Sequence, residues 1–477
     1  MNLLLVSPNR EVEIKTKNGF KFSQLTLHVL AALTPPDVQI TAVDEDIADI
    51  DFSRDYDLVG ITCMTATAPR AYQLADYFRL RGSKVVLGGI HATVLPDEAI
   101  QHADAVVIGE AEGKWDRVIE DVRRGTLQRF YRGPYPDLAQ YPLPRRDLGI
   151  DKTIFHALGL ETTRGCPYAC EFCSVTDYYG RHIRHRPVSM VVEDVKRSGS
   201  KFFMITDDNV TGHPQYSKQL FRALAPLGIT WGGQSSIRLA QDRELLKLCK
   251  KSGCMALFFG LESISPSGMR QLKKSYKTVK ETEEAIKIIQ DHGIAFHPSL
   301  VFGLDTDTRG CFDETLEFFE RNKIPSVTVN ILTPYPGTKV YERFKAEGRL
   351  ISHDWYYYNH KSVVFRPKHM TPEQLQAGFY YFWKEFYSLS GVAKHLAWSF
   401  GMHPLLPRRV LFLLLWNFSH RALFKELVPD VGCLKERAPS SVQQLLAQLG
   451  EEVTTRVSDG VARLKRRLGP LGSGEEQ

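Results

Sequence analysis

The stretch Thr163-Arg164-Gly165-Cys166-Pro167-Tyr168-Ala169-Cys170-Glu171-Phe172-Cys173 places three cysteines within eight residues, in the pattern C-x3-C-x2-C. It follows an apolar run over 158–163, so the loop is expected at the carboxyl end of a strand. Thiolates are soft ligands suited to iron–sulfur clusters. Three of them hold three corners of a cubane and leave one iron open for a substrate or cofactor. Zinc is the alternative, with His182 or His185 as a fourth ligand, but zinc commonly uses paired C-x2-C units, and the sequence has no second pair. The other five cysteines (Cys63, Cys249, Cys254, Cys311, Cys433) are scattered. A secreted disulfide framework would be shorter and denser in cysteine, so the cluster reads as metal binding in a reducing compartment.

Outward from this loop, residues 158–335 alternate apolar runs with helical patterns. Strands are expected at 158–163, 202–206, 229–232, 256–260, 294–301 and 327–331. The helices between them include Arg243–Lys251, stopped by Gly253, and 281–292, stopped by Gly293. Six βα units predict a full or partial parallel barrel, with chemistry at the carboxyl ends of its strands. Residues 1–130 repeat the alternation, with strands at 2–6, 38–43, 58–62, 85–88 and 105–108. Five such strands predict a doubly wound, flavodoxin-like α/β domain that binds ligands beyond its strand ends. Those ends carry small or polar residues: Ser7, Thr65, Gly88, Gly89, His91, Gly109 and Glu110. Proline-rich residues 131–155 are expected to be a linker, leaving the barrel to 156–345. Residues 346–477 are expected to be a mainly helical extension, opened by Trp355-Tyr356-Tyr357-Tyr358 and a helix start at Thr371-Pro372-Glu373-Gln374.

Composition narrows the function class. Of 477 residues, 43% are hydrophobic and 24% charged, as in an ordinary globular protein. The net charge of +6 comes with no nucleic-acid-binding motif, so no nucleic acid partner is expected. The apolar start of the chain is short and lacks the basic leader of a signal peptide. No run approaches the ~20 apolar residues of a membrane span. The expected location is the cytoplasm. Residues 410–418, apolar and flanked by Arg408, Arg409 and Arg421, are read either as a helix buried against the barrel or as a peripheral contact with the inner membrane.

With an aromatic before its last cysteine, after a strand and at the head of βα units, the three-cysteine loop resembles the signature of the radical S-adenosylmethionine (SAM) superfamily. That resemblance implies a [4Fe–4S] cluster on Cys166, Cys170 and Cys173, with SAM chelating the open iron. One electron then cleaves SAM to methionine and a 5′-deoxyadenosyl radical that abstracts hydrogen from an unactivated carbon. It also implies SAM contacts from Phe172, from Asp207, Asp208 and Asn209 after the second barrel strand, from Ser235 and Arg238 after the third, from Glu262 after the fourth and from Phe302 on the fifth. The family's acidic residue after the fifth strand is represented loosely, by Asp305 or Asp307. The segment Leu332-Thr333-Pro334-Tyr335-Pro336-Gly337-Thr338 resembles the sixth-strand ending.

A flavodoxin-like domain before such a barrel resembles the cobalamin-binding class of this superfamily. The loops at Gly88-Gly89-Ile90-His91 and Gly109-Glu110-Ala111-Glu112-Gly113 are similar to those of that class, and residues 355–387 resemble the extension of hopanoid C-2 methylases. The D-x-H-x-x-G motif that supplies an axial histidine in other cobalamin proteins is absent. The resemblance implies a cobalamin-dependent methyltransferase acting on an unactivated carbon of a lipid or secondary metabolite, fed by a flavodoxin or ferredoxin. A radical SAM cyclase or rearrangement enzyme, and more remotely a non-catalytic sensor, are the alternatives.

Overall fold

The computed structural model describes residues 1–9, 20–22, 24–149, 155–272 and 278–402, all within the unit Met1–Trp416. Cys433 and residues 410–418 lie outside the described residues.

The first sheet contains β1 (Asn2–Ser7), β3 (Gln39–Asp44), β4 (Leu58–Thr62), β5 (Lys84–Gly88), β6 (Ala105–Val107) and β7 (Phe130–Tyr131); β2 (Phe20–Phe22) belongs elsewhere. The order β3-β1-β4-β5-β6-β7 is parallel throughout. This is the doubly wound arrangement with one strand more than expected. Along β1, Leu4 and Val6 enter one core while Leu3 and Leu5 enter another. Period-two alternation with both faces apolar is what a central strand covered by helices on both sides requires.

The second sheet contains β8 (Phe155–Leu160), β11 (Phe202–Ile205), β12 (Thr230–Ser235), β13 (Cys254–Glu262), β14 (Ala295–Phe302) and β15 (Thr328–Ile331). All six expected strands are present and pair parallel in chain order. Among the described residues β15 is an edge, so the barrel is partial. A short antiparallel pair, β9 (Thr163–Arg164) and β10 (Arg184–His185), stands at its head.

The expected boundaries are less clean than the motifs. β2 leaves the first domain and pairs with β8, becoming a seventh strand of the second sheet. The expected linker supplies Tyr131 to β7 and a 3-10 turn at Leu138–Gln140. In the extension, Thr371 and Gln374 form the expected capping box for helix Pro372–Phe386. That helix lays Phe382 against Phe302 and Phe319. Trp355 packs beside Tyr341 and Tyr358 and donates its indole N–H to Glu98 of the first domain at 2.9 Å.

Candidate active site

The strand ends of the second sheet enclose a cavity of about 400 Å³. Cys166, Cys170 and Cys173 line it, none of them in a disulfide. Gly165 makes their loop possible. It has φ +95°, and a Cβ there would lie 2.7 Å from the carbonyl oxygen of His182, so only glycine lets the loop pass that close. Burial pushes the Cys173 thiol up to about 12, and the neighbouring Cys170 and Cys166 push the same way. Crowded thiols of this kind favour protons in the absence of a cation; an iron cluster reverses that balance. Three cysteine thiols lining one cavity, none of them in a disulfide, fit the cluster's donor set.

Of the residues expected at SAM, the structure brings Phe172, Asp208, Asn209, Ser235, Arg238 and Glu262 around this cavity. Burial raises the Asp208 carboxyl to about 6. Asn209 braces the rim by accepting from the backbone N–H of Ser236 at 3.3 Å. The Arg238 guanidinium sits 5.8 Å from the ring centre of Tyr168. Glu262 has φ 63°, beside a register shift between β13 and β14. Such strain in a non-glycine residue gathers at functional sites.

Two of the expected residues face elsewhere. Asp207 is buried and accepts from the Thr162 N–H at 2.7 Å and the Thr163 hydroxyl at 2.8 Å. It ties β11 to the segment that leads into the cysteine loop and is spent on that task. Phe302 turns to the outer layer, 4.8 Å from the Phe312 ring and 5.4 Å from Phe382. Neither acidic candidate after the fifth strand reaches the cavity. Asp305 pairs with Arg343 and Arg349, and Asp307 accepts from the backbone N–H groups of Gly303 and Leu304.

A second recess, of about 300 Å³, lies at the carboxyl ends of β4, β5 and β6. Gly88, Gly89, Gly109 and Glu110 line it as expected. Ser7, Thr65 and His91 do not. Ser7 is buried, its carbonyl accepting from the Glu45 N–H. His91 is fully buried, its ring nitrogens 3.3 Å from the Thr65 hydroxyl and 3.3 Å from Glu98. Trp355 covers its ring at 5.4 Å. His91 and Thr65 thus belong to a domain contact. Bare glycine backbone fits close approach of a large cofactor: a Cβ at Gly109 would meet nothing within 4 Å.

The far wall of this recess holds Glu112, from the quoted Gly109–Gly113 loop, and Glu161, Arg164, Tyr178 and Tyr179, which sequence reasoning missed. Its one visible signal was Arg164, a charge closing an apolar run directly before Gly165 and Cys166.

Together the fold and the two sites define an α/β enzyme built around a metal cluster and a second large cofactor. Residues 160–319 match the radical SAM superfamily and residues 19–119 match the B12 binding domain. Two methyltransferases of Chlorobaculum tepidum are similar along most of their length. The bacteriochlorophyllide d C-12(1)-methyltransferase is 30% identical, over 82% of this chain and 89% of the relative. The C-8(2)-methyltransferase is 32% identical, over 73% and 82%. The solved structure of the cobalamin-dependent S-adenosylmethionine radical enzyme OxsB, with aqua-cobalamin and S-adenosylmethionine bound, superposes with a TM-score of 0.64. It covers 95% of this chain and 83% of that one at 14% identity, a likeness of fold. The chain belongs to the cobalamin-dependent radical SAM methyltransferases. Its cofactors are a [4Fe–4S] cluster, SAM and cobalamin.

Proposed function

We propose that this enzyme methylates an unactivated peripheral carbon of a tetrapyrrole of the chlorin class. The observation that carries the substrate class is the 30% and 32% identity to two enzymes named for bacteriochlorophyllide d. The lipid alternative rests on the resemblance of residues 355–387 to hopanoid C-2 methylases and on residues 410–418, which lie outside the described residues.

In this reading Cys166, Cys170 and Cys173 hold the cluster. When bound, the cluster and SAM supply a radical that removes hydrogen from carbon, and cobalamin supplies the methyl group. Asp208, Ser235 and Glu262 offer oxygen acceptors to the SAM ammonium and ribose, Phe172 an apolar wall, and Arg238 a cation for its carboxylate. Gly88, Gly89 and Gly109 would receive cobalamin, with Glu110 in the recess wall held by Arg164 and Arg184. The recess of about 300 Å³ would hold a side arm of that cofactor, and the buried His91 would not face it. Asp207 keeps the cysteine loop registered on β11. A cytoplasmic flavodoxin or ferredoxin is the proposed electron source.

The test is anaerobic incubation of the reconstituted enzyme with SAM, a low-potential reductant and a panel holding a chlorin, a porphyrin and a hopanoid. A gain of one methyl mass on the chlorin is expected. Methylation of the hopanoid alone would overturn the substrate class.

A further inference from the structure

Between the two cofactor loops runs a buried ionic bridge. Glu110 and Glu112 lie just beyond β6, each side chain 2% exposed. Arg164, two residues before Cys166, is 7% exposed and pairs with Glu110, with Glu112 at 2.6 Å and with Glu161 at 2.7 Å. Arg184 faces Arg164 across the β9–β10 pair and holds both oxygens of Glu110, at 2.5 and 3.0 Å. Burial alone would raise the Glu112 carboxyl, but Arg164 holds it below its ordinary value, so the pair is charged. At the other end of the cysteine loop, Tyr178 donates its hydroxyl to the Gly109 carbonyl at 3.2 Å. Tyr178 stands on the helix Val175–Tyr179 that directly follows Cys173. The loop carrying the three thiols is thus tied on both sides to the loop carrying Gly109 and Glu110.

Packed apolar side chains would join two domains at least as firmly, because buried ion pairs return little net stability. What forked guanidinium–carboxylate pairs add is fixed direction and distance. Chemistry shared between two cofactors needs that, since reacting centres tolerate displacements well below 1 Å. The structure assigns to Arg164, Glu110 and Glu112 the role of positioning residues that set the separation between cluster and cobalamin. This assignment rests on the placement of cobalamin at the ends of β4–β6 proposed above.

The test uses the full chain loaded with iron, sulfide and hydroxocobalamin, as wild type, Glu112→Gln and Arg164→Lys. Iron content, cobalamin content and melting temperature are measured first. The magnetic coupling between the reduced cluster and paramagnetic cobalt is then read by pulsed electron paramagnetic resonance. Expected are retained cofactors, an altered coupling, and a ratio of S-adenosylhomocysteine to 5′-deoxyadenosine lower by roughly 100-fold, the scale of a 1 Å misplacement. Wild-type coupling and product ratio in both variants would overturn the bridge. So would loss of one cofactor with the coupling unchanged in the fully loaded fraction, which is what a merely structural wall would give. If both variants fail to fold, Tyr178→Phe carries the same test from the other side of the loop, with shifted coupling expected and unchanged coupling overturning the role. Absence of coupling in a wild-type enzyme holding both cofactors would instead sink the placement of cobalamin, and the bridge with it.

Discussion

Asp307 is held by two backbone donors, Gly303 and Leu304, yet burial raises its carboxyl from the ordinary 3.8 to about 6. The folded chain therefore keeps a proton that the unfolded chain releases between those values. Its contribution to stability is whole below the unfolded value and is lost as pH rises through about 6. Asp307→Asn keeps an acceptor toward both N–H groups and cannot ionise. Relative to wild type, its stability should rise across that window, by at most about 3 kcal/mol at neutral pH. Denaturant melts at both ends of the window check this, and equal slopes would contradict it. The cysteines divide in the same way. Replacing Cys166, Cys170 or Cys173 by Ala should abolish SAM cleavage, because each removes one corner of the cluster. Cys249 is fully buried on helix Arg243–Lys251, and Cys249→Ala should leave iron content unchanged; a drop in iron would point to a second metal site. The three thiols were legible because nothing in a hydrophobic core asks for C-x3-C-x2-C. Asp207, Phe302, Thr65 and His91 were not. A position at a strand end places a side chain near a site without telling whether it turns inward, across to the next loop or into the outer layer.

At the scale of elements, close approach decides how the extension seats on the barrel. A Cβ at Gly378 would lie 2.0 Å from Phe312, so helix Pro372–Phe386 packs backbone to ring against helix Cys311–Arg321. Gly378→Ala gains helix propensity of about 1 kcal/mol, but the clash forces both helices apart at an overpacking cost of typically 1–3 kcal/mol or more. Thermal unfolding should show a lowered melting temperature, and a raised one would mean the contact is looser than described. The eleven expected strands are all present, because long apolar alternation survives tertiary packing. The four that were missed, β2, β7, β9 and β10, have only two or three residues each. Runs that short carry no period of their own and are strands only because a neighbouring edge receives them.

Over the whole molecule, two sheets of independent topology are joined by contacts that no local pattern announces. These are the strand β2 added to β8, the indole of Trp355 on Glu98, and the Arg164 bridge, whose partners are 54 and 52 residues away. The class of enzyme could be read from loops that each carry their own chemistry. The coupling between the loops could not, because it lies in pairings of common charged residues far apart in sequence. The central claim is that the two sites work as one methyltransferase. The most direct measurement is a single mass-spectrometric quantification of 5′-deoxyadenosine and S-adenosylhomocysteine from the anaerobically reconstituted enzyme, reduced with SAM and a chlorin, with and without cobalamin. Both products, the second only when cobalamin is present, are the expected result. S-adenosylhomocysteine that forms equally without cobalamin, or a complete absence of 5′-deoxyadenosine from an enzyme with its cluster intact, would contradict it.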